Sequence, residues 1–237
     1  MKHILSLISL SLLLFGCEKY ASYYVNSYVE DYVDPEYLVL DTLSYGNYFK
    51  LAISAQNARQ YCNIVKNKDI YNYYCSIHHD DSYHHKILYP TRMNAYSRYD
   101  YSAVNVTSTI DWDSAHPAGM SLNDIVHFIS VSPYKYILSG CKTLCSIPTE
   151  TTSEYCKDAF SSSSSNVEHY FANRPQYPID KKCSELTADD LVLLGWGVSL
   201  YRFAYLVFET PPPKPCTVNV KLTATTGKEF GASIDVE

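Results

Sequence analysis

The sequence predicts a mainly β protein: an antiparallel, Ig-like β-sandwich with short helices and one long insertion stapled by disulfides. Two observations lead to this fold class. Short segments in which apolar and polar residues alternate recur along the chain, whereas sustained helical periodicity is rare. The chain also has eight cysteines behind a segment that is typical of export, and exported domains are often held by disulfides.

The N-terminus predicts export and lipid anchoring. An apolar run over residues 4–15 follows Lys2; it is too short to span a bilayer and is typical of a signal peptide. The run ends in Leu-Phe-Gly-Cys, which resembles the bacterial lipobox, although Phe15 replaces the usual small or β-branched residue. We therefore expect residues 1–16 to be removed and Cys17 to be the lipidated first residue of the mature chain. An ordinary secretory signal with a coincidental cysteine is the alternative.

Lipidation of Cys17 would hold the protein on a membrane by its acyl chains, outside the cytoplasm. Glu18 follows the cysteine, so the aspartate of an enterobacterial inner-membrane retention signal is absent. The expected location is the outer membrane, with the domain facing the periplasm or the cell surface. A formal net charge of -6, with scattered Lys and Arg, excludes an electrostatic footprint for nucleic acid.

The mature chain divides into a tether and one domain. Residues 17–36 are rich in tyrosine and acidic residues, show no clear period, and predict a tether behind the lipidated cysteine. Residues 37–237 predict a single β-rich domain. Within it, residues 141–185 combine four cysteines with the serine run 161–165 and three prolines, which predicts a long irregular insertion.

The first elements of the domain are predicted from local patterns. Strands are expected at residues 48–54, 86–93 and 102–110. Two short helices are predicted from an N-cap residue followed three positions later by an acid. The pairs are Ser121 with Asp124 and Thr187 with Asp190. The first of these helices would continue through Phe128.

The C-terminal part gives the clearest strand signals. Residues 198–208 are apolar on both faces, which predicts a central strand covered on both sides. Residues 218–222 and 230–236 alternate between apolar and polar side chains and predict a hairpin around the Thr-Gly pair at 226–227. The prolines within 211–215 cannot donate to a ladder, so they should either bridge strands as an extended segment or protect a sheet edge.

Seven cysteines follow the lipobox, and outside the cytoplasm they predict disulfides. They are Cys62, Cys75, Cys141, Cys145, Cys156, Cys183 and Cys216. An odd number allows at most three bridges and leaves one thiol over. The local candidates are Cys62 with Cys75, and a pair among Cys141, Cys145 and Cys156. A zinc site is the alternative, although paired Cys-x-x-Cys knuckles are missing.

The segment 78–85 predicts a divalent-metal site. It contains two carboxylates and four imidazoles, at His78, His79, His84 and His85. Imidazole with carboxylate suits zinc, copper or nickel. Adjacent histidines point to different sides of an extended chain, so one ion would recruit about two of the four. The alternative is a solvated loop. Calcium at Asp111, Asp113 and Asp124 is a weaker hypothesis, because the EF-hand spacing is missing.

Three parts of the chain together resemble a family of Bacteroidota outer-membrane lipoproteins that is known only as a domain of unknown function. These parts are the lipobox-like start, the segment 111–124 and the closing hairpin with its Gly-Lys-Glu-Phe turn. The resemblance spans most of the mature chain and is sharpest in 111–124. It implies an outer-membrane or surface location, but no activity, substrate or catalytic residue.

The motifs of common enzymes are missing from the sequence. There is no Gly-x-Ser-x-Gly elbow, no His-Glu-x-x-His and no glycine-rich phosphate loop. A glycosidase-like carboxylate pair leaves no sequence signature and stays open. The 24 tyrosines could form stacking faces for a sugar or a protein partner, or fill the core.

We therefore predict a non-enzymatic, lipid-anchored binding or structural module of the cell envelope. Its partners would be the membrane, through acylated Cys17, and a glycan or an envelope protein. No cofactor is expected apart from a divalent metal in the alternative function, which uses the histidines of 78–85.

Overall fold

The computed structural model describes residues 22–62, 68–88, 95–145, 152–160, 175–195, 202–213 and 215–237. The strands of these residues are β1 (Ser22–Val25), β2 (Asp31–Asp34), β3 (Tyr37–Thr42), β4 (Lys50–Gln56), β5 (Arg59–Cys62), β6 (His85–Leu88), β7 (Ala95–Ser97), β8 (Tyr101–Ser108), β9 (Val126–Ser132), β10 (Tyr177–Lys182), β11 (Arg202–Phe208), β12 (Cys216–Ala224) and β13 (Glu229–Val236). The helices are α1 (Lys68–Ile77), α2 (Tyr134–Leu138) and α3 (Glu154–Ala159), with 3-10 turns at Cys183–Glu185 and Ala188–Leu191.

Two antiparallel sheets pack face to face and form the main core. One has the strand order β10-β9-β11-β4-β3 and the other has the order β13-β12-β8. Their inner faces contribute the aliphatic and aromatic side chains Leu38, Leu40, Leu51, Ile53, Val104, Val106, Phe128, Leu206, Phe208, Val218, Val220, Leu222 and Phe230. The predicted mainly β, antiparallel fold is thus confirmed.

The C-terminal strands form as the sequence predicts. β11 lies between β9 and β4, and six of its seven residues are buried, since the sheet is covered on both faces. β12 alternates between buried and half-buried positions and pairs with β13 from Cys216 opposite Val236 to Thr223 opposite Glu229. The predicted strands at 48–54 and 102–110 correspond to β4 and β8, and the one at 86–93 begins in β6 and then leaves the described residues.

The outer face of the five-stranded sheet is covered by α3. Cys156, Ala159 and Phe160 pack there against Ile129 and Tyr205. A buried ion pair fixes the helix: Lys50 Nζ lies 2.5 Å from the carboxylate of Asp158 and donates to its backbone carbonyl at 2.8 Å. Gly46 passes so close that a Cβ there would be 2.3 Å from Asp158 Oδ1, and its φ is +83°, so a side chain is excluded on both grounds.

A second core lies beside the sandwich, and we call it the tyrosine cluster. It is built on a three-stranded sheet in which β2 pairs antiparallel with β5 and parallel with β7, together with α1 and α2. Its buried side chains are Tyr28, Val29, Tyr32, Tyr61, Tyr71, Cys75, Tyr96, Tyr136, Ile137 and Leu193. The tyrosines of this part of the chain therefore fill a core.

The segment predicted as a tether differs from that expectation. From Ser22 onward it contributes β1 and β2, and Val29 and Tyr32 are completely buried. The tyrosines there pack on residues that lie far away in sequence, which local periodicity does not register. Residues 17–21 lie outside the described residues.

Two further elements correct the sequence predictions. The helix expected from Ser121 through Phe128 is wrong, because Val126–Ser132 forms β9, all of whose residues are buried between β10 and β11. The insertion 141–185 is not irregular throughout, because it contains α3 and the edge strand β10. The cap predicted at Thr187 with Asp190 does open a 3-10 turn. No helix among the described residues is long and apolar enough to cross a membrane.

Candidate functional site

The outward face of the β13-β12-β8 sheet is polar. Along β12, Val218, Val220 and Leu222 point into the core, so Asn219 and Lys221 point away from it. The neighbouring strands have the same alternation. The face is consequently a surface of small amide and hydroxyl side chains.

Strand register sets these side chains in two rows across the sheet. Asn219 lies opposite Thr107 on one side and Ser233 on the other. In the next row, Lys221 lies opposite Asn105 and Gly231. Because Gly231 has no side chain and nothing lies within 4 Å of its Cβ position, the second row leaves a depression.

This depression is a groove of about 430 Å³, which we call the polar groove. It is lined by Asn105, Thr107, Asn219, Val220, Lys221, Gly231, Ala232 and Ser233. Of these eight residues only Lys221 is charged, and its ammonium lies 2.9 Å from Glu229 at the end of the sheet. The lining of the groove therefore has almost no net charge once Glu229 is counted with Lys221.

Hydrogen bonds fix the amides of the polar groove. Ser233 Oγ donates to Asn219 Oδ1 at 2.7 Å, and Ser121 Oγ donates to Asn105 Oδ1 at 3.2 Å. With both amide oxygens accepting from hydroxyls, each NH₂ group remains a donor for a ligand at the groove. The arrangement can bind hydroxyl or carbonyl oxygens without selecting a charge.

The loop 111–124 borders the polar groove. Ser121 forms a β-bridge with Thr107, and the backbone N–H of Gly119 donates to Ser108. Inside the loop, both ring nitrogens of His116 contact carboxylates, with Nδ1 2.8 Å from Asp113 and Nε2 3.1 Å from Asp124.

These contacts link the two ends of the loop through His116 and its two carboxylate partners. Hydrogen bonding to Asp124, and then to Asp113, raises the pKa of His116 above its usual value. The same hydrogen bonds lower the pKa of both carboxyls. Asp111 accepts instead from the backbone of Ala118, so the three acids proposed for calcium are each engaged with the protein.

The histidines of 78–85 are dispersed rather than convergent. His78 is buried, stacks on Tyr32 and places its ring nitrogens 2.9 Å from the carbonyl of Tyr74 and 3.0 Å from Asp100. Its neighbours His79, His84 and His85 are exposed. Within the described residues, no group of three or more metal-binding side chains converges.

Asp80, in the same segment, is structural. It is buried, and its two oxygens accept from the backbone N–H groups of Tyr28 at 2.7 Å and Val29 at 2.8 Å. Burial raises the pKa of Asp80 to about 6, although those two hydrogen bonds lower it. This carboxyl joins α1 to the chain that follows β1.

The predicted disulfides are not formed, and the seven cysteines of the described residues stand as thiols. The reason is their placement: Cys183 and Cys216 lie in the sandwich core, Cys156 lies under α3, and Cys75 lies in the tyrosine cluster. Burial raises the pKa of Cys183 to about 12 and that of Cys75 to about 11. Buried thiols of this kind behave as small apolar side chains.

Cys17, the predicted lipidation site, lies outside the described residues.

The polar groove was missed by sequence reasoning because its rows join β8 to strands more than a hundred residues later. Its one local signal was the alternation of Asn, Thr and Ser with valine in β8 and β12. Comparison with family models, curated proteins and solved structures gave no match.

Proposed function

We propose that this protein is a lipid-anchored, non-enzymatic binding module of the outer membrane that holds a neutral glycan in the polar groove. The single observation that carries the proposal is the groove's lining. Two fixed amides and two hydroxyls, at Asn105, Asn219, Thr107 and Ser233, surround a floor made by Val220 and Gly231. Amides and hydroxyls match the donors and acceptors of sugar hydroxyls, while a near-neutral lining does not favour a charged ligand.

The anchoring part of the proposal is supported by the lipobox-like residues 14–17 and by the resemblance to Bacteroidota outer-membrane lipoproteins. Two finer features belong to the proposal as well. One is an Ig-like arrangement of the sandwich. The other is a disulfide between Cys141 and Cys145, which lie outside the two cores that hold Cys156 and Cys183, once the protein reaches an oxidising compartment. A protein partner at the envelope would be the alternative occupant of the groove.

Glycan binding is tested with the Cys17→Ser protein and a panel of neutral and acidic oligosaccharides, by calorimetry. We expect saturable binding of a neutral oligosaccharide, because the groove presents donors at fixed positions. Gly231→Val fills the depression and should abolish this binding. Thr223→Val, an outward position on β12 that does not line the groove, is the matched control and should leave it unchanged. If no oligosaccharide binds, or if Gly231→Val binds as tightly as the parent, the glycan proposal is wrong.

Anchoring is tested by the mass of the mature N-terminal peptide. A diacylated and N-acylated Cys17 is expected, and Cys17→Ser should be released from membranes. An N-terminus that starts elsewhere would overturn the lipoprotein assignment while leaving the groove untouched.

The metal-binding alternative would rely on the exposed imidazoles of His79, His84 and His85. Native mass spectrometry of the protein with added zinc measures it directly. A stoichiometric ion that is lost in His84→Ala would support this alternative. An unmetallated protein at excess zinc would exclude it.

A further inference from the structure

One face of α1 exposes an apolar stripe. Ile70, Tyr73 and Ile77 follow the i, i+3, i+7 spacing of one helix face, and they are 40%, 60% and 46% exposed. The opposite face of the helix buries Tyr71 and Cys75 in the tyrosine cluster. Exposed apolar side chains that occur singly are ordinary, but three along one helix face form a surface that a partner can cover.

The stripe belongs to the same end of the molecule as β1. Asp80, just beyond α1, binds the backbone at Tyr28 and Val29, and Tyr71 donates to the carbonyl of Val29 at 2.6 Å. The chain after α1 continues into β6, which pairs with β1 along its whole length. Tyr24 on β1 is 66% exposed, so the same end of the molecule exposes a second aromatic side chain.

The length of chain before β1 determines what can reach this surface. Only four residues separate Cys17 from Ser22, at which the described fold begins. Five peptide units span at most about 17 Å, even when fully extended. A domain of this size has a radius of gyration of about 17 Å, so the end that carries β1 cannot move away from a membrane that holds Cys17.

We propose that Tyr24, Ile70, Tyr73 and Ile77 form a membrane-seating surface that rests in the lipid headgroup region of the bilayer to which Cys17 is attached. The inference rests on the lipidation proposed above. Tyrosine is suited to this interface, because its ring is apolar and its hydroxyl is polar. Three or four side chains bind a bilayer weakly by themselves, but the short anchor gives them a high effective concentration at the lipid surface.

The charges around the stripe are compatible with both zwitterionic and anionic lipid headgroups. Lys68 and Asp69 offset each other at the start of α1, and the uncharged Asn72 and Ser76 complete its exposed side. No cluster of like charge therefore opposes approach to a bilayer within this helix. The binding energy must come from the apolar and aromatic groups.

The test is hydroxyl-radical labelling of the acylated protein in vesicles of phosphatidylethanolamine and phosphatidylglycerol, read by mass spectrometry. Cys17→Ser with the same vesicles is the reference, since it leaves every described residue intact. We expect labelling of Tyr24 and Tyr73 to fall at least threefold in the acylated protein. Tyr37 and Met120, which are exposed outside the surface, should be labelled equally in both proteins.

Two variants sharpen the test. Ile70→Gln combined with Ile77→Gln changes only exposed side chains and should restore most of the labelling of Tyr73. Met120→Gln is the matched control and should not restore it.

The failures are distinguishable. If the N-terminal peptide is not acylated, the lipoprotein assignment fails and the seating surface with it. If Cys17 is acylated and yet Tyr24 and Tyr73 are labelled as in Cys17→Ser, the seating proposal alone is overturned. Protection that instead grows with the concentration of Cys17→Ser, without vesicles, would assign the stripe to a second copy of the chain and also overturn it.

Discussion

The sandwich core and the tyrosine cluster solve the same packing problem with different side chains. Between the two large sheets most of the buried groups are hydrocarbon, among them the completely buried Leu206 and Phe128. In the tyrosine cluster the buried rings have hydroxyls, and the polar side chains His78 and Asp80 are buried beside them. The difference teaches that the first region depends on shape alone, whereas the second depends on shape and on the completion of each hydrogen bond.

The largest expected effect lies in the sandwich. Phe128→Ala removes a fully buried ring of β9 from the core between the two sheets and should lower the free energy of unfolding by about 3–5 kcal/mol. Urea denaturation measures the loss. Because no charge is involved, the loss should be the same at pH 4 and pH 7. If the loss of unfolding free energy in Phe128→Ala differed between these pH values, the sandwich core would not depend on packing alone, and the contrast with the tyrosine cluster would fail.

In the tyrosine cluster, Asp80→Ala should be the most damaging polar change. It leaves the buried N–H groups of Tyr28 and Val29 without their acceptor, at a cost of about 1–3 kcal/mol for each group. Asp81→Ala removes the exposed neighbouring acid and is the matched control. Equal stability of the two variants would contradict a structural role for Asp80.

The pH dependence of the same carboxyl is a separate prediction. Since the pKa of Asp80 rises from 3.8 to about 6 on folding, the folded protein binds more protons than the unfolded chain between these pH values. This group's contribution to stability is therefore greatest in acid, and it falls by roughly 3 kcal/mol as the pH rises from about 4 to 6. Asp80→Asn should flatten that part of the stability curve, whereas Asp81→Asn should not.

Two tyrosine-to-phenylalanine changes probe single hydroxyls. Tyr71→Phe loses the hydrogen bonds to Ser27 and to the carbonyl of Val29, and should cost about 1–2 kcal/mol. Among the described residues, the buried hydroxyl of Tyr32 has only the thiol of Cys75, a weak hydrogen-bonding group, as its polar partner. Tyr32→Phe should therefore be neutral or slightly stabilising. If thermal unfolding ranks the two variants in the opposite order, hydrogen bonding does not control this region.

The smallest effect is expected in the loop 111–124, outside both cores. The raised pKa of His116 gives stability that is present below pH 6.5 and is lost as the pH rises through the folded value. The lowered values of Asp113 and Asp124 give stability that is present above pH 3.8 and is lost as the pH falls. The protection of this loop against hydrogen exchange, measured as the observed rate relative to the intrinsic rate at the same pH, should accordingly be greatest between about pH 4 and 6.5. His116→Asn should remove the loss of protection above pH 6.5.

Local patterns predicted the elements whose own residues show their position in the fold. The β12-β13 hairpin follows from period-two alternation on both sides of a Thr-Gly turn, and the central position of β11 follows from its unbroken apolar run. The strand β9 was mistaken for a helix, because the Ser121 and Asp124 pattern resembles a cap. In the structure Asp124 is instead directed to His116.

The site could not be predicted for a related reason. The polar groove needs the register between β8 and β12, and that register is set by the packing of the sandwich rather than by either strand alone. The metal hypothesis stays a prediction, but the sequence did not show that His78 turns inward while His79, His84 and His85 stay exposed. In both cases the sequence shows which residue types are present, but their directions depend on distant partners.

The pairing of β8 with β12 also determines when the polar groove can exist during synthesis. Val106 of β8 pairs with Val220 of β12, so 114 positions of sequence separate the two paired residues. Such long-range pairing is slow to form, because the entropy of closing the intervening loop is lost before the strands gain their contacts. A ribosome that stops before residue 216 releases a product without β12 and β13, which has neither a groove nor a closed sandwich. Any binding activity of the groove therefore requires β12 and β13 as well as β8.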